Sequence, residues 1–199
     1  MYKSVIISWS IEFGPIAAFF LALHFLGSTD SGFIASTTIF TLLTVVTLCA
    51  SYYYERRIAL FPLIAGLSVI FFGVATLFFN NPLFFIIKDT IYNGFFAIFL
   101  LVGVIMKKPM LKTLFVALFD MNDRGWYILS VRWGFFFLFL TITNEIAWRY
   151  YSQDIWVEYK FWSTIATIIF GFYQIKLSKK YRNSTATAWG MRKQLFREK

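Results

Sequence analysis

Histidine and cysteine each occur once in the 199 residues, as His24 and Cys49. A single cysteine excludes an internal disulfide and any cysteine cage for a metal, and a single histidine excludes the His-Glu-x-x-His zinc motif. No Cys–His pair lies close in sequence, and no glycine loop of the phosphate-cradling kind is present. Charged residues make up only 15% of the chain, too few to solvate a separate soluble domain. Cys49, inside an apolar run, is read as a packing residue, and His24, near the outer end of the first run, as an interfacial polar group. No catalytic residue, metal or cofactor is assigned, and the chain is read as no enzyme.

What is abundant is apolar and aromatic. Hydrophobic residues reach 59% and aromatic ones 22%, with a mean hydropathy of +0.65; a chain of this composition needs lipid as its solvent. Apolar runs lie at Val5 to Phe25, Phe33 to Tyr53, Ile58 to Phe79, Thr90 to Met106, Ile128 to Trp148 and Trp156 to Lys176. A spanning helix takes about 20 such residues, so the pattern predicts an all-α, polytopic transmembrane bundle of about six spans. The first run carries Glu12 and the helix-breaking pair Gly14-Pro15, which leaves a straight crossing and a kinked or re-entrant half-span both open. No small-residue cleavage signal follows that run, which is read as a retained first helix.

Charge orients the bundle. Fifteen of the 19 basic residues fall on one side: Lys3, then Arg56 and Arg57, then Lys107, Lys108, Lys112 and Arg124, then eight between Lys176 and Lys199. Lys88, Arg149 and Lys160 lie on the other, and Arg132 sits just inside the fifth run. Basic loops stay in the cytoplasm, so six spans place both termini there. The net charge of +9 is interleaved with membrane segments, which favours anionic phospholipid headgroups over nucleic acid as the partner. After Pro109, residues Met110, Leu111, Leu114, Phe115, Leu118 and Phe119 share one face and predict a cytoplasmic interfacial amphipathic helix between spans four and five. The domain reading is one transmembrane domain over residues 1–180 and a basic cytoplasmic tail over 181–199, the tail either lying on anionic lipid or unstructured.

Polar residues inside apolar runs are costly, so the candidate contacts are sought there. Glu12 precedes a proline kink. Asn144, Glu145, Trp148 and Arg149 cluster at one end of the fifth run, with Glu145 four residues before Arg149, the favourable order for a helical ion pair. Beyond them, residues 150–160 form an outer segment dense in aromatic and charged groups, which either anchors headgroups or recognises a partner. An offset of 72 pairs Ala75 with Ala147 and Lys88 with Lys160, consistent with tandem helical hairpins or with chance.

The chain resembles the intracellular septation protein A family, the inner membrane-spanning proteins of the bacterial cell envelope, over nearly its whole length. The strongest part is Arg132-Trp133, then Phe135 to Leu140, Asn144-Glu145, Trp148-Arg149, Asp154, Trp156-Val157 and Lys160. Supporting matches are Thr76 to Asn80, Lys88, Thr90-Ile91, Asn93 and Lys107 to Pro109, and the family's N-terminal acid-x-x-Pro pattern stands here as Glu12 to Pro15. The chain departs from the family at Asn81-Pro82 and in a longer basic tail after Tyr181. The resemblance implies an inner-membrane protein of septation, envelope biogenesis and membrane homeostasis, acting through contacts with cell division or elongation proteins. Candidate partner or polar-ligand contacts are Glu12, Lys88, Thr90, Asn93, Arg132, Trp133, Asn144, Glu145, Trp148, Arg149, Asp154, Trp156 and Lys160. The alternative is a small transporter or lipid-handling protein built on Glu12, Asn93 and Glu145; homo-oligomerisation is left open.

Overall fold

A computed structural model describes the backbone of residues 2–27, 29–55, 60–116 and 119–191, and their side chains apart from 2–13, 54–55 and 60–62. Arg56, Arg57, Leu118, Phe196 and the basic residues from Arg192 onward lie outside the described residues, as does the side chain of Glu12.

Among the described residues the extended elements are all helices: α1 (Tyr2–Leu26), α2 (Asp30–Glu55), α3 (Leu60–Phe79), α4 (Leu83–Ile105), α5 (Met110–Phe115), α6 (Asp123–Tyr150) and α7 (Gln153–Lys180). Apart from α5, each has 20 to 28 residues, and about 20 residues cover the 30 Å of a bilayer's hydrocarbon. Asp30–Tyr53, Leu83–Ile105 and Asp123–Tyr150 are long and apolar enough to cross a membrane, and Gly14–Leu26 and Leu63–Phe79 are shorter apolar stretches. Pro15 lies inside α1, which runs through it as one 25-residue helix.

Turn chemistry sets the boundaries. Asn80 takes a left-handed φ of 47° while Asn80 N–H bonds Leu77 O and Asn81 N–H bonds Thr76 O, the paired closure of a Schellman motif. Pro82 then opens α4, where its missing N–H costs nothing. Lys107, with φ 59°, ends α4 in the same way through Lys107 N–H to Val104 O and Lys108 N–H to Gly103 O. Asn122 caps α6 by accepting from Gly125 N–H at 2.8 Å.

Three expectations are corrected. Helix α4 starts at Leu83, not Thr90, because Leu83 to Ile87 extend the apolar face through the charges; Lys88 therefore lies within a helix instead of an outer loop. The helix after Pro109 stops at Phe115, and Phe119 instead pairs in an antiparallel bridge with Met191. Cys49 is exposed, because the inward face of α2 is taken by Ser36, Thr37, Thr41 and Thr44.

The chain divides into two compact units, residues 1–92 with 144–158 and residues 93–143 with 159–199. In unit 1, Phe19, Phe33, Phe40 and Phe85 form a cluster of ring contacts 5.4–5.9 Å apart, and Trp156 meets the edge of Phe33 at 5.7 Å. Helices α2 and α3 approach closely through small residues: a Cβ on Gly73 would lie 2.1 Å from Thr41 Oγ1. Lipid supplies no hydrophobic drive between helices, so such close van der Waals contact is what holds them together. In unit 2, Phe136 stacks on Phe170 at 4.1 Å and Trp133 meets Phe170 edge-on at 5.0 Å, while Trp126, Phe96 and Leu100 are buried. Outside these cores lies a broad apolar exterior, with Phe25, Phe71, Phe78 and Ile105 each more than two-thirds exposed, a surface suited to lipid.

Candidate functional site

The polar residues of unit 1 gather around Asn144. One turn and a half before the end of α6, its side chain is 1% exposed and engaged through both its donors and its carbonyl. Its Nδ2 donates to Ile86 O at 3.2 Å and to Thr90 Oγ1 at 2.9 Å, and its Oδ1 accepts from Trp156 Nε1 at 3.0 Å. One amide thus ties α4, α6 and the first turn of α7. In an apolar setting a group left unpaired is costly, which favours this one arrangement over its alternatives. Trp156 is wholly buried; its indole ring packs on Phe33 while its N–H needs the acceptor that Asn144 supplies.

Adjacent on α6, Glu145 binds two groups of its own helix. Its Oε1 accepts from Trp148 Nε1 at 3.0 Å and its Oε2 from Arg149 Nε at 2.5 Å. Arg149 lies with its guanidinium carbon 4.4 Å from the Trp148 ring centroid. The arginine side chain is 56% exposed and the glutamate 28%, so Glu145 holds an aromatic–cationic surface in place at the end of the helix. Tyr150 and Tyr151 are exposed beside it.

A second polar element sits in α4. Lys88 Nζ lies 2.7 Å from Asp89 Oδ1, with the two side chains 9% and 8% exposed, and it also lies 4.8 Å from the centroid of Phe85. Burying two charges costs several kcal/mol per ion, repaid only by close pairing and further hydrogen bonds, and charges inside membrane helices mark functional positions more often than structural ones.

The family model for intracellular septation protein A matches residues 7–185. The chain belongs to the intracellular septation protein A family. It is 37% identical to the inner membrane-spanning protein YciB of Brucella melitensis, the match covering 86% of this chain and 92% of that protein. The corresponding protein of Sinorhizobium medicae is 39% identical, with 86% and 87% covered. No solved structure matches the chain. Its apolar helices and this membership make it a membrane protein of that family.

Of the residues quoted for the family resemblance, unit 1 joins Thr90, Asn144 and Trp156 in one network, sets Glu145, Trp148 and Arg149 in the cluster next to it and pairs Lys88 with Asp89, with Asp154 exposed in the first turn of α7. Asn93, Arg132, Trp133 and Lys160 belong to unit 2. There Arg132 donates to Gln174 Oε1 at 3.2 Å and lies 5.8 Å from the Tyr173 ring centroid, Trp133 is part of the aromatic core, and Asn93 and Lys160 are half-buried. The sequence reading missed Asp89, whose signal was available: two opposite charges side by side in an otherwise apolar stretch. It also missed Gln174, whose partner lies 42 positions away.

Proposed function

We propose that this protein is a multi-pass inner-membrane protein of septation, envelope biogenesis and membrane homeostasis, acting without catalysis through protein–protein contacts in the membrane. Six spans, formed by α1, α2, α3, α4, α6 and α7, put both termini and the interfacial α5 on the cytoplasmic side, in the headgroup layer with anionic lipid. The observation that carries the reading is the Glu145–Trp148–Arg149 surface. Arginine, tryptophan and tyrosine dominate the energetic centres of protein interfaces, and here Trp148 and Arg149 are fixed in advance by one carboxylate, which lowers the ordering cost of binding. The partners in this reading are cell division or elongation membrane proteins; the family name itself points to septation. The test is a crosslinking pull-down from native membranes. Wild type captures specific division or elongation proteins, and a Glu145→Ala, Arg149→Ala variant at matched expression loses them; equal capture by both would overturn the assignment of this surface.

A second reading is favoured by the buried Lys88–Asp89 pair. A small transporter or lipid-handling protein would use such intramembrane charges, together with Glu12, Asn93 and Glu145, to bind a polar solute or headgroup. Loss of a solute- or lipid-flux phenotype on Lys88→Met with partner capture intact would select this reading over the first.

A further inference from the structure

Residues 181–191, expected as part of a basic tail, fold back onto the segment that precedes α6. Asp120 is the centre of this clasp: its carboxylate accepts from Asn183 Nδ2 at 2.7 Å and from Thr185 Oγ1 at 2.6 Å. Its backbone is held as well, the N–H by Gly190 O at 2.9 Å and the carbonyl by Asn183 N–H at 3.1 Å. Antiparallel bridges Met121–Arg182 and Phe119–Met191 flank it. Gly190, at φ +79°, closes the turn where a Cβ would lie 2.7 Å from Ser178 O. The clasp carries Trp189 to the end of α7, where Ser178 Oγ donates to its carbonyl at 2.9 Å and Lys179 Nζ stands 3.5 Å over its half-exposed ring.

The charge at this end of unit 2 is one-sided. Lys107, Lys108, Arg124, Lys176, Lys179, Lys180 and Arg182 are exposed. Of the two aspartates among them in sequence, Asp120 is committed to the clasp and Asp123 is paired with Lys112 at 2.7 Å. Exposed cations are attracted to an anionic membrane surface, and a tryptophan with an apolar body and a wet edge belongs at headgroup depth.

We propose that the clasp of residues 119–125 with 181–191 is a docking site for anionic phospholipid headgroups, in which Asp120 is a positioning residue that holds the segment carrying Arg182 and Trp189 against the end of α7. The proposal rests on the orientation given above, with this end in the cytoplasmic headgroup layer. That orientation is read separately by thiol labelling of Ser184→Cys in a Cys49→Ala background, in spheroplasts against inverted vesicles.

The test is native mass spectrometry of the purified full chain released from detergent carrying equal fractions of phosphatidylglycerol and phosphatidylcholine. Wild type retains phosphatidylglycerol several-fold over phosphatidylcholine. Neutralising Lys107, Lys108 and Lys180 to Gln, which leaves the hydrogen bonds of the clasp in place, lowers that preference about tenfold or more. Asp120→Ala decides between a built site and diffuse charge. Removing an acidic group strengthens lipid retention if only net charge matters, and weakens it if the clasp positions the site. Thr185→Val, which deletes one bond and no charge, weakens retention in the same direction with less risk to folding. Equal retention of the two lipids, or Asp120→Ala and Thr185→Val binding as well as wild type, overturns the proposal. Displacement of the lipid by equimolar glycerol 3-phosphate would also overturn it, since the site would then be one for soluble phosphate.

Discussion

The Asn144 node of unit 1 and the Asp120 clasp of unit 2 are both polar networks joining distant parts of the chain, and they differ in what surrounds them. Asn144 is 1% exposed and its partner Trp156 is wholly buried, so no solvent competes for its hydrogen bonds. Asp120 and Thr185 sit at a wet, strongly basic end, where water replaces any bond that breaks. A hydrogen bond therefore carries different weight in the two places. In the first case the bonds fix which helices pack and in what register, because an unpaired group has nowhere to go. In the second they organise a surface at small net energy.

The largest effect that would sharpen this contrast is expected at the buried ion pair. Lys88→Ala removes the cation 2.7 Å from Asp89, and breaking a buried pair by truncating one partner costs about 3–5 kcal/mol. Denaturant titration of the purified protein in mild detergent reads this directly; a loss under about 1 kcal/mol would mean that the site is wetter than its burial indicates. Next comes Asn144→Ala. Three bonds lost at about 0.6 kcal/mol each in a membrane setting, plus the void left behind, give about 2–3 kcal/mol on the same titration. Smallest is Asp120→Ala, at about 1 kcal/mol on the same titration. A cost matching that of Asn144→Ala would break the comparison and make the clasp a structural element of the same rank.

Much of the fold was legible because spanning helices announce themselves by length and apolarity. The runs ending at Phe79 and at Trp148 fall within two residues of the ends of α3 and α6. The Glu145–Arg149 pair was legible too, since a spacing of four on a helix fixes the geometry without help from elsewhere. Lys88 was misplaced because its charge reads as a loop signal, and only burial in the tertiary structure, with Asp89 beside it, makes a helix interior tolerable there. The length of α5 was overread because its hydrophobic face continues through Phe119, a residue that instead pairs with Met191 far along the chain.

Sequence alone thus determined the membrane class, the six long helices, the basic end and the one ion pair set by helical spacing, all of which depend on local composition and on periodicity. Tertiary structure decided that Asn144 meets Ile86 and Trp156, that Lys88 and Asp89 are buried together, and that residues 181–191 close on Asp120. The first and last of these join positions up to 72 residues apart, and no local pattern encodes them. They follow from which polar groups find partners once the apolar faces have packed.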